Sequence, residues 1–197
     1  MLNKKELFNE LDKGNVVILP SDTVYGLFAD SLNVNAILKV DSIKNSNKPH
    51  LILVSNYEML NKCVNSMSKL HKKIINKYWP GPLTILFEKS DLIPNELTKN
   101  SNLVGIRMPD NKMLLDIINE YNKPLLSTSA NNSGENVIVK IEDLSDNIRS
   151  RVSYIYDGGV LNNEASTIIK IDSNKIIFLR EGSLTNKIKE DFKDYLW

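Results

Sequence analysis

Apolar residues along this chain alternate between helical spacing and short continuous runs. Between residues 3 and 13, Leu7, Phe8 and Leu11 fall on one helical face, and Gly14 follows as a typical helix stop. The same spacing, or a capping residue, predicts further helices at residues 33–44, from Ser66 or Ser68 to Trp79-Pro80, after a cap at Asp110, in EDLSDNI, and from Ser183 onward.

Short apolar runs predict the strands NVVILP, LILVS, LTILFE, NLVGIRMP, PLLSTSA, SYIYDGG, STIIKID and KIIFLREG. The last two are separated only by Asp172-Ser173-Asn174, which predicts a hairpin. Helices between strands, combined with a hairpin, favour a mixed sheet over a purely parallel one. Since no repeat or Pro/Gly/Ser-rich linker divides the chain, we predict a single α/β domain over residues 1–197 with an open mixed sheet.

Composition restricts the partners of this chain. A net charge of +1 provides no overall field for nucleic acid, so an RNA contact would need a local lysine patch. The apolar runs are too short to span a bilayer, and the amphipathic, acid-containing start does not resemble a secretion signal, which predicts a cytoplasmic protein without membrane contact. Cys63 has no disulfide partner, and His50 and His71 lack a zinc-binding context, so we expect no protein-bound metal.

The standard signatures of several enzyme classes are missing from the sequence. It contains neither of the glycine-rich loops that bind nucleotide phosphates, and it lacks the G-x-S-x-G elbow of acyl-enzyme hydrolases. Any chemistry would therefore depend on positioning and electrostatics. Only four of the 25 basic residues are arginine, so this chain generally uses lysine. The planar guanidinium, with two donors that lysine cannot supply, is a plausible reason for arginine at Arg107 and Arg180.

Polar residues follow the predicted strands at several points. The most informative case is STSANNSG, which comes directly after an apolar run and offers hydroxyls, amides and a glycine to an anion. A surface turn rich in Ser and Asn is the alternative. Because ligands of α/β proteins collect at one edge of the sheet, we expect a pocket for a ligand with several anionic groups. The contributing clusters are SDTVYGL, Lys44 with Lys48, Arg107, STSAN, Ser166-Thr167 and Arg180-Glu181-Gly182.

Several of these segments occur together in one known family. SDTVYGL, YWPGPLTILF, VGIRMPD, PLLSTSANNSG, DGG followed by ASTII, and FLREGS appear here in the order of the YrdC-like family, the threonylcarbamoyl-AMP synthases. The chain resembles a short, single-domain member of that family. The resemblance implies an open twisted α/β sheet with a concave basic cavity. It also implies a reaction in which L-threonine, bicarbonate and ATP give L-threonylcarbamoyl-AMP and pyrophosphate, with Mg²⁺ on the phosphates.

The resemblance also implies roles for individual residues and a partner. The product passes to a threonylcarbamoyl transferase that modifies tRNA. Arg107 would bind the carboxylate of threonine, and Lys44, Lys48 and Arg107 would be the catalytic cations. The threonine site would comprise Ser21, Arg107, Ser127 and Ser166; the ATP side would comprise Lys44, Lys48, Ser129, Asn131, Val137 and Arg180; and Thr23 and Thr167 would support them. For Ser21 and Thr23 the alternative is a turn-forming hydroxyl, and for Tyr25 we favour a packing role.

One segment departs from the family pattern. The family usually has Lys, any residue, Arg and Pro after the second helix, whereas this chain has IKNSNKPHL, without the Arg and about two residues shorter. Lys48 could compensate, ATP binding could be weak, or activity could be lost.

Two other classes of function share part of this pattern. A module that binds double-stranded RNA or tRNA could use the same basic face without chemistry. A carbamoyltransferase of the hydrogenase-maturation type would be expected to carry acylphosphatase and zinc-finger segments, which this sequence does not show.

Overall fold

The computed structural model describes residues 2–132, 134–161 and 165–197. Ser133 of the STSANNSG segment therefore lies outside the described residues. The described strands are β1 (Val17–Pro20), β2 (Tyr25–Asp30), β3 (Leu51–Leu53), β4 (Leu83–Glu88), β5 (Leu103–Arg107), β6 (Leu125–Ser129), β7 (Tyr154–Ile155), β8 (Thr167–Asp172) and β9 (Lys175–Arg180).

Helices connect most of these strands. They are α1 (Lys4–Asp12), α2 (Val34–Lys44), α3 (Tyr57–Cys63), α4 (Lys69–Tyr78), α5 (Asn95–Thr98), α6 (Lys112–Tyr121), α7 (Asp146–Arg149) and α8 (Thr185–Asp191), with 3₁₀ turns at Ile141–Asp143 and Lys193–Tyr195. In the described part of the chain, no helix is long and apolar enough to cross a membrane.

All nine described strands belong to one mixed sheet in the order β7-β1-β2-β6-β3-β5-β4-β8-β9. The pairs β1–β7, β3–β5 and β4–β8 are parallel, and the other neighbours are antiparallel. The predicted α/β fold with a mixed sheet is therefore confirmed. The predicted hairpin is also present: Asp172 pairs with Lys175, and Ser173 and Asn174 both have positive φ, as a tight two-residue turn requires.

The structure decides between two predicted caps and differs from the predicted helices in three places. Asn111, not Asp110, caps α6, because its side-chain oxygen accepts a hydrogen bond from the Leu114 amide. Of the two serines proposed to cap α4, Ser68 does so, in a reciprocal capping box with His71. The last helix begins at Thr185 and not at Ser183, and EDLSDNI divides into a 3₁₀ turn and the short α7.

Three elements were not predicted from the sequence. Strand β2 is buried at all six positions, so its sequence YGLFAD shows no alternation of apolar and polar residues. Helix α3 begins at an Asn56 cap, and α5 is a single turn after Pro94. Helices this short carry too little periodicity to be separated from loops.

Candidate functional site

A cavity of about 760 Å³ lies over one face of the central strands. Side chains alternate between the two faces of a strand, so residues two apart contribute to the same wall. Gly105 and Arg107 of β5, Thr84 and Leu86 of β4, and Leu51 of β3 all line this wall. The loops that follow β1 and β6 and those that precede β3 and β8 complete it.

Most of the predicted site residues meet in this cavity. It is lined by Ser21, Thr23, Lys48, Arg107, Ser127, Ser129, Val137, Ser166 and Arg180, whereas Lys44, Asn131 and Thr167 are buried and do not line it. Among its lining residues the formal charges belong to Lys48, Arg107 and Arg180, and no carboxylate is present. Such a lining favours anionic ligands.

Arg107 is held in place by a buried ion pair. Its guanidinium Nη2 donates to Asp22 Oδ1, and the side chains of the two residues are only 6% and 8% exposed. The second oxygen of Asp22 accepts the Asp110 amide at 3.2 Å, so the carboxylate is itself fixed. Burial lowers the pKa of Arg107, and Asp22 opposes that shift. Asp22 was not predicted from the sequence, although it stands in the SDTVYGL cluster.

The Ser166 end of the cavity is organised by Arg180. The guanidinium donates from Nε to the Ser166 carbonyl at 2.9 Å and from Nη2 to the Ser166 hydroxyl at 2.7 Å. Both donors act on one residue, which illustrates the fixed fork geometry of arginine. Thr167 lies one residue further along the chain, and its hydroxyl accepts the Leu184 amide, so Thr167 joins β8 to the start of α8.

The SDTVYGL segment forms a turn at the cavity wall. The Ser21 hydroxyl donates to the Val24 carbonyl at 2.7 Å and accepts the Thr23 and Val24 amides. Ser21 and Thr23 therefore form the turn and also line the cavity. Tyr25 packs in the core at 0% exposure, in agreement with the packing role, and its hydroxyl donates to the Gly159 carbonyl at 2.7 Å.

Lys44 points to the loop after β6. Its ammonium donates to the Ser129 carbonyl at 2.8 Å, to the Asn131 carbonyl, and to Asn131 Oδ1 at 3.2 Å. Burial lowers the pKa of Lys44 to about 8; Glu135 opposes this shift and Lys48 adds to it. Because three protein acceptors match its three donors, Lys44 fixes the shape of this loop.

Lys48 lies in the short loop between α2 and β3, and the next residues anchor that loop. His50 Nε2 lies 2.7 Å from Asp41 Oδ1, and Lys99 donates to the other oxygen of the same carboxylate. The His50 amide also donates to the Leu97 carbonyl at 3.0 Å. Burial lowers the pKa of His50, and Asp41 opposes the shift. His50 is therefore a buried anchor that also lines the cavity.

Thr84 and Gly105 are two further cavity residues that were not predicted as site residues. A Cβ on Gly105 would lie 3.3 Å from both Leu86 Cδ2 and Thr84 Cγ2, so glycine leaves the cavity floor open. The sequence feature that could have identified Thr84 is its hydroxyl, the single one in the otherwise apolar run LTIL. Alternation places it on the same face as Leu86.

Comparison with known proteins adds independent findings. The profile of the Sua5/YciO/YrdC family, described as telomere recombination, matches residues 9–182. A Methanocaldococcus jannaschii protein provisionally named threonylcarbamoyl-AMP synthase is 39% identical over 184 residues, which cover 91% of this chain and 83% of that protein. The Bacillus subtilis threonylcarbamoyl-AMP synthase is 30% identical over 90% of this chain, which spans about half (52%) of that relative.

The fold comparison agrees with these sequence matches. The crystal structure of Pyrococcus abyssi Sua5 complexed with L-threonine superposes with a TM-score of 0.92 at 26% identity. The match covers 98% of this chain and 58% of that one.

Proposed function

Because the chain belongs to the Sua5/YciO/YrdC family, we propose that it is a threonylcarbamoyl-AMP synthase. It would condense L-threonine, bicarbonate and ATP to L-threonylcarbamoyl-AMP and pyrophosphate, and thereby supply a transferase that modifies tRNA. The observation that carries the proposal is the single cavity in which Arg107, Lys48, Arg180 and a row of serines meet.

The chemistry requires several anions to approach one another. The amine of threonine combines with bicarbonate to form a carbamate and water, and the carbamate oxygen then attacks the α-phosphate of ATP as pyrophosphate leaves. Holding these groups together lowers the entropic part of the barrier. Fixed cations in a cavity with little water stabilise the charge that develops on the phosphate.

The contacts of the described residues support separate roles in binding threonine and in binding ATP. Arg107 would take the carboxylate of threonine, with Ser21, Ser127 and Ser166 around the amino acid. The ATP side would be formed by Lys48, Ser129, Val137 and Arg180. Lys44 and Asn131 would act from behind it by shaping the β6 loop, and Thr23 and Thr167 would support the walls.

Magnesium would enter with the nucleotide. The described residues contain no group of three His, Cys, Asp or Glu side chains that could hold a metal ion. Mg²⁺ commonly keeps several waters and binds through phosphate oxygens, which fits a cavity lined by hydroxyls and cations. Bound there, it would neutralise part of the phosphate charge.

The names of the relatives favour the synthase over the RNA-binding alternative. A direct RNA contact and a cytoplasmic location remain predictions.

Pyrophosphate release from ATP tests the proposal. We expect release only when L-threonine and bicarbonate are both present, because neither alone forms the attacking carbamate. Equally fast release with L-serine, or with no amino acid, would contradict the proposal. The variant Lys112→Ala is a suitable control, because that side chain is 88% exposed on α6 and does not line the cavity.

A further inference from the structure

Two polar atoms beneath the cavity have no hydrogen-bond partner. They are the hydroxyl oxygen of Thr84 and the Nε of Arg107, each buried and unpartnered within the described part of the chain. Thr84 is 1% exposed and Arg107 is 5% exposed. Since nearly all buried polar groups are hydrogen-bonded, two such atoms in one cavity wall require an explanation.

The two residues are neighbours across the sheet. Ile85 pairs with Ile106 in the antiparallel β4–β5 ladder, so the next step of the register brings Thr84 opposite Arg107. Both side chains line the same cavity. Directly opposed residues of antiparallel strands have Cβ atoms about 4.5 to 5.5 Å apart, within reach of a single small group.

The methyl of Thr84 faces the gap left by Gly105. Thr84 Cγ2 lies 3.3 Å from the place a Cβ on Gly105 would occupy. Rotation about χ1 of Thr84 to another staggered rotamer places the hydroxyl where the methyl now lies and moves the methyl to the position of the Cβ hydrogen. The rotation breaks no hydrogen bond to the residues that the structure describes, because the hydroxyl makes none with them.

We propose that Thr84 is a further binding residue of the amino-acid site, whose hydroxyl turns into the cavity and donates to the same carboxylate as Arg107. This rests on the proposed function, which assigns that carboxylate to L-threonine. A carboxylate is an acceptor with about four lone-pair directions, so it can satisfy Arg107 Nε and the Thr84 hydroxyl together. The bond of Arg107 Nη2 to Asp22 is kept, which holds the guanidinium while the ligand enters.

The test compares Thr84→Val, which removes the hydroxyl at nearly constant shape, with Thr84→Ser, which retains it. Binding of L-threonine and of ATP is measured by calorimetry with the full chain. We expect Thr84→Val to weaken L-threonine binding at least about tenfold, with ATP binding unchanged, and Thr84→Ser to stay near wild type. Equal L-threonine affinity in wild type and Thr84→Val would overturn the proposal.

A second ligand identifies the group that Thr84 binds. L-2-aminobutyrate keeps the carboxylate of L-threonine and lacks its hydroxyl. If Thr84 donates to the carboxylate, Thr84→Val loses the same factor with both amino acids. A loss confined to L-threonine would mean that Thr84 contacts the hydroxyl of the ligand, and it would overturn the carboxylate assignment.

Stability in the absence of ligand separates this role from a structural one. An unpartnered buried hydroxyl destabilises the fold, so Thr84→Val should raise the Tm by about 2 to 4 °C while weakening binding. A lower Tm accompanied by equal losses for L-threonine and ATP would indicate a structural residue. Failure of the wild-type chain to bind L-threonine at all would contradict the proposed function itself.

Discussion

At the scale of single residues, we expect amino-acid binding to depend most on Arg107. Its guanidinium is buried and paired with Asp22, and its Nε has no hydrogen-bond partner among the described residues. Lysine would keep the charge but lose the planar fork. We expect Arg107→Lys to weaken L-threonine binding by about 1.5 to 3 kcal/mol, the range for hydrogen bonds to charged groups, with ATP binding little changed.

Calorimetric titration of wild type and Arg107→Lys with each ligand measures this effect. Arg149→Lys is a matched control, since Arg149 donates to the Ile141 carbonyl and does not line the cavity. Unaltered L-threonine affinity in Arg107→Lys would rule out its carboxylate role.

We expect Lys44 to make ATP binding dependent on pH. Burial lowers its pKa to about 8, and loss of the proton leaves two donors for three acceptors in the β6 loop. We expect ATP to bind about two- to tenfold more weakly near pH 9 than near pH 7, the value of about one hydrogen bond. In Lys44→Met this pH dependence should disappear.

The direction of the Lys44 pKa shift means that raising the pH does not unfold the chain through this residue. A folded-state pKa below the ordinary value of 10.5 means that the unfolded chain holds the proton more tightly. This residue therefore makes the free energy of unfolding rise between about pH 8 and pH 10.5. Equal ATP affinity in wild type at both pH values, with the fold intact, would show that the loop does not depend on the Lys44 charge.

At the scale of elements, we infer that the short α2–β3 loop supplies, through Lys48, the cation that the family pattern places on an arginine. Lys48 is the basic residue of this loop that lines the cavity, and His50 and Asp41 anchor the chain beside it. We expect Lys48→Ala to lower the rate of adenylate formation at least about tenfold, about 1.4 kcal/mol of barrier, without lowering the Tm.

Pyrophosphate release at saturating ATP measures that rate, with Lys112→Ala as the exposed control. Insertion of Arg-Pro after Asn45, which restores the family spacing, should leave activity equal or higher. A rate near wild type in Lys48→Ala would indicate that Lys48 is solvated and that its loop does not touch the phosphates.

Most of the helices and strands could be predicted from the local sequence, whereas the contacts between them could not. Turn residues predicted the β8–β9 hairpin, because it joins strands that are neighbours in the chain. Helices between strands, combined with that hairpin, predicted a mixed sheet but not the order of its strands. Strand β2 was missed because burial on both faces removes the alternation. Asp22 and Thr84 were not predicted as site residues because their importance arises from Arg107, which is 85 residues from Asp22 in sequence.

At the scale of the whole molecule, the sheet order explains why distant motifs form one cavity. Strands β6, β3, β5, β4 and β8 are consecutive neighbours in the sheet, although they are separated in the chain. Each contributes residues to the same face or to an adjoining loop. The position of the polar clusters at strand ends predicted that they converge on one pocket. Which clusters face the cavity depends on the register of the strands. Lys44 lies behind the cavity wall.

The central claim is that this cavity joins L-threonine, bicarbonate and ATP. The most direct measurement is mass spectrometry of the nucleotide products after incubation of the chain with ATP, Mg²⁺, L-threonine and ¹³C-labelled bicarbonate. The account predicts L-threonylcarbamoyl-AMP carrying one ¹³C atom, formed in amounts equal to the pyrophosphate released. Release of pyrophosphate without a labelled adenylate, or an adenylate of unmodified threonine, would contradict it.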